Sequence, residues 1–281
     1  MLPHSTKKED VVLSATGAEV YHETVFTWTQ KDEKLLVRKI DFRIFPVMVI
    51  LFILNFIDRN NFANARLKGL EDDLHLTNVQ YQTCISILLV GYVGMQVPSN
   101  MFLNSISHPS LYLCCCATIW GMISACTAAT HSATGAILCR FFLGAVEAAL
   151  FPGTLLYLSR WYTRSEMQLR VTLLNAGNLL AQAFGSLIAA GVLSGMEGVG
   201  GIKGWRWLFI IEGVLTIASA IILQPVLPDY PSTTRWLSQK ERLIAQKRLV
   251  NDVGIADDDE ETLAFSGLKM ACNDPIVWVL G

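Results

Sequence analysis

The strongest constraint on the fold of this chain is a long segment without charge. Residues 74–139 contain no Lys, Arg, Asp or Glu over 66 positions. One helix of that length would extend about 100 Å, roughly three times the hydrocarbon core of a bilayer, so the segment must fold back on itself. Turn-forming residues break it at 104–110 (NSISHPS). Two apolar stretches remain, 81–103 and 111–130, and each is close to the length of a membrane-crossing helix.

Apolar stretches of spanning length recur along the rest of the chain. Of the 46 charged residues (22 Lys and Arg, 24 Asp and Glu), 17 lie within residues 44–227, so composition excludes a soluble globular protein there. The stretches lack the alternation of barrel strands, and a helix satisfies its own backbone hydrogen bonds in lipid. The sequence therefore predicts an all-α membrane protein with six transmembrane helices. The four additional spans are 43–63, 136–160, 171–194 and 205–227.

The segment after the sixth span predicts a second kind of helix. Ser238 and Glu241 have the spacing of a capping box and precede an amphipathic stretch. An acidic run at 257–261 is interpreted as a solvated loop, with a regulatory contact as the alternative. Six spans, an amphipathic connection and the start of a seventh span correspond to half of a 6 + 6 plan. The predicted parts are a tail (1–42), the six-helix bundle (43–227), the connecting loop (228–273) and the first turn of a truncated seventh span (274–281).

Lys and Arg residues predict the orientation. With the N-terminus inside, the inner segments hold seven, none, three and six of them, and the outer loops hold three, none and two. The positive-inside rule then places the N-terminus in the cytoplasm. The first apolar run begins at residue 44, which is too late for a cleaved signal peptide. We expect an integral protein of the plasma membrane.

Several other classes of protein are disfavoured. The formal net charge of −2 excludes a generally basic nucleic-acid binder. The adjacent thiols Cys114–Cys116 point about 100° apart on a helix, so we predict no metal site. The nearest serine motif, around Ser194, has the wrong spacing for a nucleophile elbow, and the five histidines fall in the tail or loops. We therefore expect neither an enzyme nor a cofactor.

Four charged residues fall inside the predicted spans, where a charge costs ~2.5–3.5 kcal/mol or more. Asp58 and Arg59 end the first span, and Arg140 and Glu147 share one face of the fourth, with Gly144 between them for close approach. Static ion pairs, Asp58 with Arg59 and Arg140 with Glu147, are one interpretation. The other is a proton-coupled anion carrier, in which acids load protons and an arginine clamps a carboxylate.

Further polar residues in the spans have two interpretations each. Tyr92 and Gln182 are candidate pore-lining residues, with interhelical packing as the alternative. Arg206 and Glu212 lie near two tryptophans and are interpreted as a static pair at the membrane interface. The Phe-Pro-Gly at 151–153 predicts a bend in the fourth span.

Residues 55–61 (NFIDRNN) and 140–147 (RFFLGAVE), followed by 151–153 (FPG), resemble motifs of the major facilitator superfamily. More narrowly, they are similar to the anion:cation symporter group and its allantoate permease branch. The resemblance implies the N-terminal half of a 6 + 6 bundle that moves a small organic anion with a proton by alternating access. Three further stretches support the branch: 36–46 (LVRKIDFRIFP), 97–100 (VPSN) and 227–241 (LPDYPSTTRWLSQKE).

The resemblance also assigns roles to residues. It implies that Asp58 and Glu147 couple protons and that Arg59 and Arg140 are their basic partners; with Asn61, Tyr92 and Gln182, these arginines are the expected substrate-binding residues. The loop at 103–111 (LNSISHPSL) lacks the charges that the superfamily uses there as a latch. The expected partners are the anion, the proton, the lipid bilayer and a missing C-terminal six-helix half. A non-transporting receptor derived from a carrier is the alternative function.

Overall fold

The computed structural model describes residues 28–253, and these residues fold into an all-helical bundle. Six helical segments in this part are long and apolar enough to cross a membrane, with helices α5 and α6 together forming the fourth. A helix is the expected form because the bilayer core offers no hydrogen-bond partners to the backbone. The helices are α1 (Gln30–Arg66), α2 (Leu70–Asp73), α3 (Asn78–Ser105), α4 (Pro109–Thr127), α5 (Ala133–Glu147), α6 (Leu150–Ser159), α7 (Arg164–Gly195), α8 (Gly204–Leu223) and α9 (Gln239–Val253).

The six spans predicted from the sequence are confirmed. The first span is part of a longer helix, because α1 runs from Gln30 to Arg66 and includes the last residues of the predicted tail. The predicted irregularity of the fourth span occurs as a turn between α5 and α6, just before Pro152. The predictions for the tail at residues 1–27, the acidic run at 257–261 and the seventh span at 274–281 lie outside the described residues.

Glycines allow the closest helix contacts in the bundle. The most extensive packing joins α3 to α5, α4 to α8 and α1 to α7. On α5, a methyl group added at Gly144 would overlap the carbonyl oxygen of Leu88 on α3. On α8, a methyl group at Gly213 would come within 2.5 Å of the carbonyl oxygen of Gly121 on α4. Small residues are what such close crossings require, as the sequence predicted for Gly144.

The buried interior changes character along the bundle axis. The proximal end, where α1 begins, is filled by one apolar cluster that includes Leu51 and Phe52. The distal end, where α1 ends, is filled by a second apolar cluster that includes Phe62. Between these clusters α1 buries Leu54 and three polar residues, Asn55, Asp58 and Asn61. A polar layer therefore lies inside the bundle between two apolar ones.

Helix α9 packs against the proximal end of the bundle. Its predicted capping box is present, with the Glu241 N–H donating to Ser238 Oγ at 3.2 Å and the Ser238 N–H donating to Glu241 Oε2 at 2.7 Å. Partial burial alone would raise the pKa of the Glu241 carboxyl, but the Ser238 N–H and the Lys39 ammonium outweigh burial and lower it. Apolar residues of α9, among them Ile244 and Ala245, extend the proximal core.

Candidate functional site

Helix α1 contributes a fully buried carboxylate to the polar layer. Asp58 Oδ1 accepts a hydrogen bond of 2.6 Å from Ser124 Oγ on α4. The other oxygen, Oδ2, is buried and accepts no hydrogen bond from a donor in the described residues, although the Glu147 carboxyl lies within hydrogen-bond reach of Asp58. A buried polar atom without a partner costs about 1–3 kcal/mol, so this oxygen is available to a proton or a ligand.

An ion pair connects α1 to α5. Arg59 Nε donates to Glu147 Oε2 at 2.8 Å. Glu147 is fully buried, whereas the Arg59 side chain keeps 27% of its exposure and lies 4.4 Å from the ring centroid of Tyr92 on α3. The structure therefore pairs Arg59 with Glu147 across two helices and leaves Glu147 Oε1 without a partner in residues 28–253. The adjacent pairs of the static interpretation, Asp58 with Arg59 and Arg140 with Glu147, are not the hydrogen-bonded ones.

Arg140 lies at the centre of the polar layer with open donors. Its side chain is 2% exposed, and Nε and Nη2 lack hydrogen-bond partners in the described chain. The guanidinium lies 4.1 Å from the ring centroid of Phe62 and 5.5 Å from that of Phe209, so aromatic faces stabilise its charge. It also interacts electrostatically with Asp58 and Glu147. This arrangement keeps a buried arginine charged while two nitrogens remain free to bind an anion.

A third carboxylate, Glu212 of α8, belongs to the same layer. It is 4% exposed, its Oε2 accepts a hydrogen bond from the Asn61 amide, and Oε1 has no partner among residues 28–253. The expected pair of Arg206 with Glu212 is wrong. Six residues turn a helix through about 600°, which puts them on different faces. Arg206 instead binds Asp73 at 2.9 Å at the distal end.

We call Asp58, Arg59, Arg140, Glu147 and Glu212 the buried charge cluster. It holds three carboxyl groups and two guanidinium groups, so it carries one excess negative charge if every group is ionised. Burial disfavours such an excess, which a proton or another cation would cancel. Within the described residues no group of three His, Cys, Asp or Glu side chains is placed to hold a metal ion.

Of the other predicted site residues, two lie at the cluster and one does not. Asn61 is buried against the cluster, and the half-buried Tyr92 contacts Arg59. Gln182 is exposed on α7, where its amide donates to Asn178 Oδ1 at 3.0 Å. Sequence reasoning missed Ser124, because a single serine in an apolar span carries no pattern. It misplaced Glu212, although an acid eight residues inside a span was itself a signal.

The family model of the Major Facilitator Superfamily matches residues 48–281. The chain belongs to the major facilitator superfamily. It is therefore an integral membrane protein of a transporter family. Two solved structures of a bacterial homologue of the human lysosomal transporter Spinster share this superfamily fold. The inward-facing, occupied form has a TM-score of 0.59 and 18% identity, and the match covers 66% of this chain and 44% of that one.

Curated relatives in fungi carry transporter names. The MFS transporter prlL of Fungal sp. (strain NRRL 50135) is 39% identical over 222 residues, which are 77% of this chain and 44% of the relative. The pantothenate transporter liz1 of Schizosaccharomyces pombe is 32% identical over 78% of this chain and 42% of the relative. The chain thus spans about half the length of the major facilitator proteins that it matches.

Proposed function

We propose that this chain is the N-terminal half of a proton-coupled symporter for a small organic anion, within the allantoate permease branch of the anion:cation symporters. The observation that carries the proposal is the composition of the buried charge cluster. A cluster built only to join helices would balance its charges, whereas this one has a third acid and several open polar atoms. A group that must gain and lose a proton during transport needs that imbalance.

Proton coupling is assigned to Asp58 and Glu147. Glu147 exchanges its bond to Arg59 for a proton, because a neutral carboxyl no longer holds the guanidinium. Arg59 is the partly exposed member of the pair, so its release makes a positive charge available to an anion at the surface of the six-helix half. Glu212, whose Oε2 accepts a hydrogen bond from the Asn61 amide, interacts electrostatically with Arg140 and adds a third carboxyl group to the same layer.

Anion binding is assigned chiefly to Arg140. The planar guanidinium can hold both oxygens of a carboxylate, and its Nε and Nη2 are unused in the part of the chain that the structure describes. Arg59, Asn61 and Tyr92 border the same region, and Gln182 would join them only through a ligand or another segment. The name of the fungal pantothenate transporter, which refers to a carboxylate vitamin, supports an organic acid as the substrate class.

Major facilitator sites lie between two structural repeats, so a second six-helix half completes the proposed site. Alternating access then exposes the cluster to each aqueous side in turn. The proposed orientation has the N-terminus in the cytoplasm of a plasma-membrane protein, as the distribution of Lys and Arg indicates.

Uptake into proteoliposomes tests this function. The protein, in the longest form that its gene encodes, is reconstituted, and labelled pantothenate, nicotinate and allantoate are offered under an imposed proton gradient or an imposed sodium gradient. We expect accumulation of at least one organic acid with the proton gradient alone. Accumulation that follows sodium and ignores the proton gradient would contradict proton coupling, and binding without transport of any acid would favour the receptor alternative.

A further inference from the structure

A polar cavity lies at the proximal end of the bundle, away from the buried charge cluster. Its volume is about 830 Å³, and its walls come from the loop between α3 and α4, the end of α6 and the segment that follows α8. Arg43, Arg160 and Arg235 line it together with His108 and Asp229. The transport proposal uses none of these residues.

The charge of this cavity is positive because three arginines and one carboxylate line it. Asp229 Oδ1 accepts hydrogen bonds from the Ser110 N–H at 3.2 Å and from Ser110 Oγ at 2.6 Å. Asp229 Oδ2 lies 2.9 Å from His108 Nδ1. Asp229 therefore fixes the start of α4 against the segment after α8, and three arginines face one carboxylate that has its own partners.

Two of the arginines, Arg43 and Arg160, are held in place by contacts that leave some of their N–H groups free. Arg43 Nε donates to the carbonyl oxygen of Val226 at 3.3 Å, and its guanidinium lies 5.2 Å from the ring centroid of Trp236. Its Nη1 and Nη2 have no hydrogen-bond partner in residues 28–253. The side chain is thus oriented before any ligand arrives, which lowers the entropy cost of binding.

Arg160 is held in a similar way from the other wall. Its Nη2 donates to Asn104 Oδ1 at 2.6 Å, and its guanidinium lies 5.1 Å from the ring centroid of Tyr230. The Nε and Nη1 groups have no partner within the part of the chain that the structure describes. Arg235 is exposed at the rim. Oriented arginines with free donors form the arrangement that recognises a phosphoryl group.

The position of the cavity indicates where the phosphoryl group would come from. Helices α3 and α8 end at its walls, at the depth where a bilayer has its headgroups. Near these helix ends, large apolar side chains face outward: Phe102 is 56% exposed and Ile222 is 68% exposed. Basic pockets between transmembrane helices bind the headgroups of anionic lipids. We propose that this cavity binds a phosphoryl group, supplied by the headgroup of an anionic phospholipid whose acyl chains lie along α3 and α8.

The test measures lipid binding by two double variants that lose the same charge, one inside the cavity and one outside it. The longest form of the protein is placed in nanodiscs of phosphatidylcholine, and binding of fluorescent phosphatidylinositol 4-phosphate is titrated. We expect the double variant Arg43→Gln/Arg160→Gln to weaken binding about tenfold or more, which corresponds to about 1.4 kcal/mol. The control Arg38→Gln/Arg164→Gln removes the same charge from exposed side chains at the same end, outside the cavity, and should stay within about twofold of the wild type.

Two further arms complete the test. Arg235→Gln changes an exposed side chain, leaves folding intact and should weaken binding about threefold, consistent with loss of one exposed charge. Soluble inositol 1-phosphate is titrated as a competitor: failure to compete supports the lipid headgroup, while equal affinity supports the phosphoryl site and overturns the lipid source. Equal weakening in both double variants, or weakening in neither, would overturn the cavity itself. None of these outcomes depends on transport, so the proposed function stands or falls separately.

Discussion

The charges of this protein are arranged differently at the bundle ends and in its middle. At the proximal end, both oxygens of Asp41 accept hydrogen bonds from Arg170, each at 2.7 Å. At the distal end, Asp73 binds Lys203 at 2.6 Å and Arg206 at 2.9 Å. In the middle, by contrast, Asp58, Glu147 and Glu212 each keep one oxygen without a partner among the described residues.

This difference separates charged residues that stabilise the fold from charged residues that can bind a proton or a substrate. A carboxylate whose oxygens are both bound by arginine or lysine already has its charge balanced by those partners. A buried carboxylate with a free oxygen raises the energy of the empty site, and a proton or substrate that binds there removes the penalty. The end pairs are thus structural, and the buried charge cluster is where transport chemistry is expected.

The largest expected effect is the loss of coupling in Glu147→Gln. The amide mimics the protonated acid permanently, so substrate exchange continues while net uptake loses its driving force. With an imposed gradient of about one pH unit, accumulation should fall from about tenfold to none, since one proton contributes about 1.4 kcal/mol per pH unit. The control is Glu166→Gln at the proximal end, where glutamine still serves the capping box with Thr163. Loss of coupling in the control as well would remove the distinction between the two regions.

A stability effect comes next and tests the close packing that holds the cluster. Gly144→Ala places a methyl group against the backbone of Leu88, so α3 must move away from α5, at a cost of about 3 kcal/mol. Gly94→Ala is the matched control on α3, since no described atom lies within 4 Å of its added carbon. Thermal unfolding in detergent should show a lower Tm for the first variant alone. Equal Tm values for the two would mean that the crossing is looser than described.

Substrate affinity should change by about tenfold in Arg140→Lys. Lysine keeps the charge but loses the planar pair of donors. The KM or Kd for the organic acid should therefore rise about tenfold, which corresponds to a loss of roughly 1.4 kcal/mol of binding free energy. Arg170→Lys is the counterpart at the proximal end and should leave affinity unchanged while lowering stability. An unaltered Kd in Arg140→Lys would mean that Arg140 packs the helices and does not bind the substrate.

The smallest effect is expected at the distal end, from Asp73→Asn. Partial burial would raise the pKa of the Asp73 carboxyl, but hydrogen bonds from Lys203 and Arg206 outweigh burial and lower the pKa. A lowered pKa in the folded state contributes stability that is complete above the ordinary value near 3.8, and this contribution disappears as the pH falls from there through the lowered pKa. The variant should be about 1 kcal/mol less stable at pH 7 and lose that deficit towards pH 3. A deficit that persists at low pH would show that charge is not its cause.

The spans could be predicted from the sequence because the bilayer imposes both length and hydropathy. Each predicted span overlaps an observed helical segment, and most of the ends differ by a few residues. The shift was largest at α1, where charged residues outside the membrane continue the same helix. Hydropathy reports where a helix leaves the apolar core, and it carries no information on where the helix itself ends.

The composition of the site was partly predictable, and its pairing was not. Periodicity put Arg140 and Glu147 on one face of a helix, and both are buried in the cluster. Periodicity does not show which helix faces pack together. The hydrogen bond from Arg59 on α1 to Glu147 on α5 could therefore not be predicted. Glu212 was misjudged because nearby tryptophans indicated an interface, while the partner of Arg206 lies in a short helix between two spans.

The central claim is that one proton enters the buried charge cluster with each substrate molecule. The most direct test is a pH electrode in a weakly buffered suspension of proteoliposomes that contain the wild-type protein and no imposed gradient. Addition of the transported organic acid should make the external solution more alkaline, in proportion to the amount taken up. Uptake of the acid without any change in external pH would contradict the account.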